Sequence, residues 1–422
     1  MARLADVSPG DLITSQRQND INDYIEDGTE YLITASAQLV GVSAAPSDGD
    51  LALGRLYADS DDNKLYFYNG SSWVDVASGQ QTYDAIVDSA GGGDYTTLGA
   101  AITAGAVTIL LKGLTTETGD ITLPNYCLIH GADGNEWIVM GTNTLTLGVN
   151  NVLSNFFIRS TRVTGHQIIV GDSCRFEGMR FQNNSATNPA SAQGVISDNN
   201  VAATRVMFNN CQMQVQNNTT DIPNMIGIYI LNSGSNGWEI NNMSFAGQGP
   251  TYNCGLVNCA TDGLLMNNIF VKNIGQVSAS SFTVSGNGCT FTNFHIDSTN
   301  VFDITISGDR NSLSNWRTEH IDIDVLVDGL YNNLTNISCE GQLIIGAAAN
   351  LNMCSNSQFS QGISVAGDNN TITGVRAGED AGGGVITITT AAGADNTNIT
   401  GCMVDATISD SGTNTNSDFV IY

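Results

Sequence analysis

Positive charge is scarce in this sequence: 14 Lys and Arg stand against 41 Asp and Glu, a formal net charge of −27. No basic stripe is present to neutralise phosphates, which argues against nucleic acid and anionic membrane as partners. Histidine is nearly absent, with four in the chain, and the nine cysteines are scattered singly with no Cys-x-x-Cys pair. That pattern implies neither a disulfide framework nor a metal centre, and reads instead as buried small hydrophobes. No apolar run approaches the ~18 residues that span a bilayer, and no signal-peptide core follows Met1-Ala2-Arg3-Leu4. The expectation is a chain made soluble in a cytoplasm, without membrane insertion. Gly91-Gly92-Gly93 is followed by no Gly-Lys-Ser/Thr, so it reads as a turn, and no cofactor is expected.

With six prolines, 46 glycines and charged residues at 13%, the composition is that of a turn-rich, weakly charged β protein; 41% hydrophobic residues supply a core. Residues 1 to about 80 differ from the rest. Thr14-Ser15 is a candidate N-cap for a short helix whose Ile21, Tyr24 and Ile25 share a face. Further on, Gly54–Ala58 and Lys64–Tyr68 flank an Asp/Asn-rich turn, and Asn69-Gly70 leads into Trp73-Val74-Asp75-Val76, a small β-meander.

The stretch from Leu56-Tyr57 through Asn69-Gly70-Ser71-Ser72-Trp73-Val74 resembles a short module of phage tail-fibre and tailspike proteins. Next, Val87-Asp88-Ser89-Ala90-Gly91-Gly92-Gly93-Asp94-Tyr95-Thr96-Thr97-Leu98 is similar to the opening of pectin-lyase-like β-helix proteins. There Thr96 or Thr97 is placed to N-cap a short helix whose Leu98, Ala101 and Ile102 cover the open end of the first coil.

Beyond residue 120 a repeat is visible: an apolar residue, a spacer, then a corner occupied only by Asn or Gly. The corners are Gly131, Asn155, Gly178, Asn210, Asn242, Asn268, Asn293, Asn315, Asn336, Asn356, Gly374 and Gly401. Asn and Gly share little except tolerance of the left-handed backbone, so the pattern specifies a sharp bend. From 131 to 401 the 11 steps cover 270 residues, about 24.5 each, which suits one coil of a three-faced solenoid. After each corner the first and third residues are apolar, as in Met179/Phe181, Cys211/Met213 and Phe294/Ile296, while the second and fourth are mostly polar. Two steps of 32 residues, 178 to 210 and 210 to 242, imply insertions at Ser185–Ala190 and Asn217–Pro223. The fold expected is all-β: a right-handed single-stranded parallel β-helix over 81–422, preceded by a helix and β-hairpin region over 1–80.

In this register the fourth outward position carries Asp297, Glu319 and Glu340 on consecutive coils, after Lys272. At ~4.8 Å per coil their spacings overlap those of paired glycosidase carboxylates, and proximity of like charges would raise at least one pKa. Asp322-Ile323-Asp324 with Glu319-His320 forms a second acidic cluster. Lys272, His295 and Arg317 beside these acids equally suit surface ion pairs, and no complete catalytic motif is present.

The tailspike resemblance implies a homotrimer, attachment to other virion tail proteins through residues 1–80, localisation in the virion and host surface polysaccharide as the ligand. Two other classes remain open: a polysaccharide depolymerase using Asp297, Glu319 and Glu340, and a non-enzymatic structural component such as a head decoration or tail adaptor. The last coil reaches Phe419-Val420-Ile421-Tyr422 with no evident trimerising domain beyond it, which leans toward the structural class.

Overall fold

A computed structural model describes residues 56–59, 64–68, 73–75 and 83–422, the last without 186, 216–221, 223, 248–254, 273–281, 298–302, 320–322, 379–386, 405–406, 414 and 422. The chain divides into two compact units, Met1–Thr82 and Tyr83–Tyr422. In the first, Leu56–Asp59, Lys64–Tyr68 and Trp73–Asp75 form an antiparallel sheet in which Asp59 faces Lys64 and Tyr68 faces Trp73. The helix expected near Thr14–Ile25 lies outside the described residues.

The second unit is a parallel β-helix of about 12 turns. The strand Thr290–Asp297 shows how each coil is built. Its first half lies on one face, Asn293 bends the chain, and its second half lies on a second face. Ile304–Ile306 then supplies the third face, before Ser312–Thr318 begins the next coil. Pairing is in register, Phe291 with Leu313, Phe294 with Trp316 and Ile304 with Val325, and the third faces join into one sheet of 13 described strands.

Parallel register places like residues over like, ~4.8 Å apart, so buried rings stack along the axis. Phe176 and Phe208 lie 4.5 Å apart at 7°, and Phe294 and Trp316 lie 4.3 Å apart at 13°. The inward residues expected after each corner are buried: Met179, Phe181, Cys211, Met213, Phe294, Ile296, Ile337 and Cys339 are at most 3% exposed. Eight described cysteines are buried and free, and burial pushes the Cys354 thiol up to about 12.

Eleven of the twelve Asn/Gly corners have positive φ, including Asn293 at 57°, Asn315 at 58° and Asn336 at 57°. Their amides form a ladder: Asn336 Nδ2 donates to Asn315 Oδ1 at 3.2 Å, Asn315 to Asn293 at 3.1 Å, and Asn293 to Asn268 at 3.0 Å. Gly131 is the exception. It ends the strand Leu128–Gly131, and the bend is taken by the following turn, with Gly134 at φ 73°. That turn is tied by the Glu136 carboxylate, which accepts from the Asp133 and Asn135 amides. Residue 131 is glycine because a Cβ there would collide with the Asn155 carbonyl oxygen.

A second ladder, invisible to the repeat pattern, runs inside the bend from third face to first. Asn311 Oδ1 accepts from the Cys289 amide at 2.7 Å, Asn332 Oδ1 from Asn311 at 2.8 Å, Asn352 Oδ1 from Asn332 at 2.7 Å, and Asn370 Oδ1 from Asn352 at 2.9 Å. All four asparagines are at most 2% exposed. Each follows a left-handed residue: Arg310, Tyr331, Leu351 and Asn369.

The open end of the first coil is covered by helix α1, Leu98–Thr103. Thr97 Oγ1 accepts from the Ala100 amide, and the Glu117 carboxylate, from the next coil, accepts from the Leu98 and Gly99 amides. Leu98 and Ala101 are buried and Ile102 packs against the core, as expected of a lid.

Of the insertions expected in the two 32-residue coils, Ser185–Ala190 lies in the connection between Asn183 and Gln193, while Asn217–Pro223 falls, apart from Ile222, outside the described residues; both coils also lengthen a second connection. The stretches 198–206 and 231–238, between third and first faces, are longer than their counterparts in later coils. They are held together by buried Asp198, whose carboxylate accepts from the Leu231 and Asn232 amides and the Ser235 hydroxyl at 2.8–2.9 Å.

Candidate functional site

Two outward rows run along the second face. One passes through Leu114, Trp137, Phe157, Arg180, Gln212, Ser244, Phe270, His295, Arg317 and Ser338 on consecutive coils. The other passes through Arg159, Gln182, Gln214, Ala246, Lys272 and Asp297.

Asp297, Glu319 and Glu340 follow one another in this second row. The Glu319 amide donates to the Ile296 carbonyl at 3.0 Å, and the Glu340 amide donates to Thr318 Oγ1 at 3.1 Å. Glu319 is already engaged: its Oε1 is 2.9 Å from His295 Nε2 and 3.1 Å from an Arg317 Nη. These groups are a third or more exposed, so the pairs hold orientation more than they add stability. The His295 ring meets Phe270 edge-on at 5.2 Å. Of the second acidic cluster, His320 and Asp322 lie outside the described residues, while Ile323 is buried.

Asp303, not singled out by the repeat, enters the third face beside Asp324. Burial, and after it the Asp324 charge, raise its carboxyl above the ordinary range. Ile304 donates to the Asp324 carbonyl, and Asp324 Oδ1 accepts from the Gln342 amide at 2.9 Å. The sequence signal of Asp303 is faint, a lone acid immediately before the apolar Ile304.

Upstream of the acids an open concavity of about 600 Å³ lies on the second face, lined by Arg180, Gln212, Ser244 and Phe270, with Asn210 and Asn242 along its corner edge. Small Ser244 between larger Gln212 and Phe270 makes the dip. Among the described residues no group of three His, Cys, Asp or Glu is arranged to hold a metal ion, and no helix is long and apolar enough to cross a membrane.

No protein-family model and no curated protein matches the chain. Solved structures do. The chain is similar to tailspike protein 3 of bacteriophage CBA120, at 13% identity over 98% of this chain and 69% of that one, with a TM-score of 0.43. Tailspike protein gp49 of the Acinetobacter baumannii bacteriophage Fri1, a capsular polysaccharide depolymerase, aligns at 8% identity over 89% and 68%, with a TM-score of 0.37. The catalytic domain of a GH87 alpha-1,3-glucanase aligns at 13% over 74% and 63%, with a TM-score of 0.38. Two of these three neighbours are phage tailspikes. At such identities the likeness is one of fold.

Proposed function

We propose that the chain is a phage virion protein of the tailspike or tail-fibre class, attaching to host surface polysaccharide along the second face of its solenoid. The observation that carries this reading is the open concavity on a rigid face, with aromatic Phe270, cationic Arg180 and the amide and hydroxyl of Gln212 and Ser244. Shallow grooves of mixed polar and aromatic lining suit sugars, which present hydroxyls at their rims and apolar C–H faces. The tailspike-like module at Leu56–Val74 supports the virion context. Residues 1–80 are the attachment region to other tail proteins, and the assembly is a homotrimer. Incubating the full chain with host cells before and after enzymatic removal of surface polysaccharide tests the reading. Retention on intact cells alone is expected; equal retention on stripped cells overturns it.

The second reading, a depolymerase, is favoured by the consecutive placement of Asp297, Glu319 and Glu340. In it, one carboxyl donates a proton to the glycosidic oxygen while a second, ionised, activates water or attacks the sugar. Single replacements Asp297→Asn, Glu319→Gln and Glu340→Gln then reduce glycan shortening at least ~100-fold, the lower scale of acid–base catalysis, while binding survives. Intact glycan on incubation with the wild-type chain leaves the adhesin reading alone. Absence of both retention and shortening favours a structural virion component.

A further inference from the structure

The outward positions of the second face from Leu114 to Lys272 contain no carboxylate, although the chain carries a net charge of −27. Three cations, Arg159, Arg180 and Lys272, stand there instead. Two of them are mounted on aromatic rings. Trp137 and Phe157, both half-buried and outward on consecutive coils, stack at 4.2 Å and 19°. The Arg180 guanidinium lies 4.6 Å from the Phe157 ring centre, and that of Arg159 lies 4.4 Å from the Trp137 ring centre. Arg159 is further fixed by donating from Nε to Gln182 Oε1 at 2.8 Å. Among the described residues neither arginine is ion-paired, whereas Arg162 and Arg317 each face a carboxylate.

A guanidinium stacked on an aromatic face loses conformational freedom but keeps in-plane N–H groups free, in a fork that matches a carboxylate. Two such forks on neighbouring coils, beside a row without acids, form a receptor for regularly spaced anionic groups. The row continues directly into the concavity of Gln212, Ser244 and Phe270. From Trp137 to Phe270 it crosses five coil steps, ~24 Å at ~4.8 Å per step, which suits an extended polymer rather than a small molecule. Two arginines are too few for a nucleic acid, whose binding requires many neutralised phosphates.

Resting on the reading of glycan attachment, we infer that this half of the face binds a carboxylate-bearing polysaccharide of the uronic acid type, with Arg159 and Arg180 gripping its carboxylates from the Trp137–Phe157 stack.

The test measures binding of the full chain to polygalacturonate and alginate, to carboxyl-reduced derivatives of both, and to neutral dextran. At low salt at least one uronate polymer should bind ~10-fold or more tighter than its reduced form, the scale of one lost charge-assisted contact. Added salt should shrink that preference. The double variant Arg159→Gln/Arg180→Gln should abolish it without moving the thermal midpoint, and Trp137→Ala should weaken it. Equal binding of native and reduced polymers, or a preference retained by the double variant, overturns the inference and leaves glycan attachment standing. So does retention on host cells with neither uronate polymer bound, whereas loss of that retention too removes the parent reading. A change in sedimentation of the double variant with unchanged glycan binding also overturns it, and assigns the face to a second copy of the chain.

Discussion

The two asparagine ladders solve the same problem, a sharp bend in every coil, by different means. At the outer corner the asparagine itself takes the left-handed conformation, and its exposed amide bonds to the coil before it. At the second corner the left-handed residue is Arg310, Tyr331 or Leu351, side chains that pay ~1–2 kcal/mol for that backbone. The strain is tolerated because the next residue is an asparagine whose side-chain oxygen accepts a main-chain N–H from the preceding coil. The first bend therefore selects the bending residue by backbone preference, and the second selects the buried asparagine after it by the hydrogen bond it must complete.

The largest break in this comparison should come from Asn332→Leu. It leaves the buried Asn311 N–H without an acceptor and should destabilise the solenoid by about 3 kcal/mol. Hydrogen exchange should register the loss first in the coils on either side, since solenoid stability is set by neighbouring repeats. At the exposed ladder, Asn315→Ala should be milder, about 1 kcal/mol for an alanine forced left-handed, and Asn315→Gly should fall below that. An alanine as damaging as the Asn332 replacement would dissolve the distinction. Leu351, 45% exposed at φ 61°, offers the opposite sign: Leu351→Asn should raise the thermal midpoint through a gain of up to ~1 kcal/mol from relieved backbone strain.

The smallest effect is linked to pH, and the ladder amides take no part in it because they do not titrate. His166 accepts at Nδ1 from the Gly194 amide at 2.9 Å. Burial lowers its pKa, helped by Arg162 and opposed by Asp198. A folded-state pKa below the unfolded value of about 6.5 means that the unfolded chain binds the proton more readily. The stabilisation is thus complete above pH ~6.5 and declines as pH falls below it. His166→Gln should flatten the midpoint's dependence on pH between about 5 and 7; an unchanged slope assigns it to other groups.

The outer ladder and the inward alternation were legible in the sequence because one conformational demand admits only two residue types. Asn293, Asn315 and Asn336 therefore stand out at a fixed offset from Phe291, Leu313 and Leu334. The buried ladder was not legible. Arg310, Tyr331 and Leu351 carry no sign of left-handed geometry, and the ladder position passes from Cys289 to Asn311. Third-face strands such as Ile304–Ile306 are too short for a periodic signal. In the candidate site, the succession of Asp297, Glu319 and Glu340 followed from register alone. The Trp137–Phe157 stack has no such signal, because large aromatics read as core and because the enlarged turn after Gly131 shifts Trp137 out of the repeat.

The left-handed corners, Asn210 and Asn242 among them, recur in register while the connection from second to third face varies, from 340–342 between Cys339 and Leu343 to 216–224 between Val215 and Met225. Lengthening a flexible loop is thermodynamically cheap, ~0.6 kcal/mol per doubling. Mutation and recombination can therefore exchange these connections one coil at a time, each exchange altering the border of the second face while the bends that define the rod are inherited intact. Diversification of what such a surface recognises is thereby separated from the conditions for folding it.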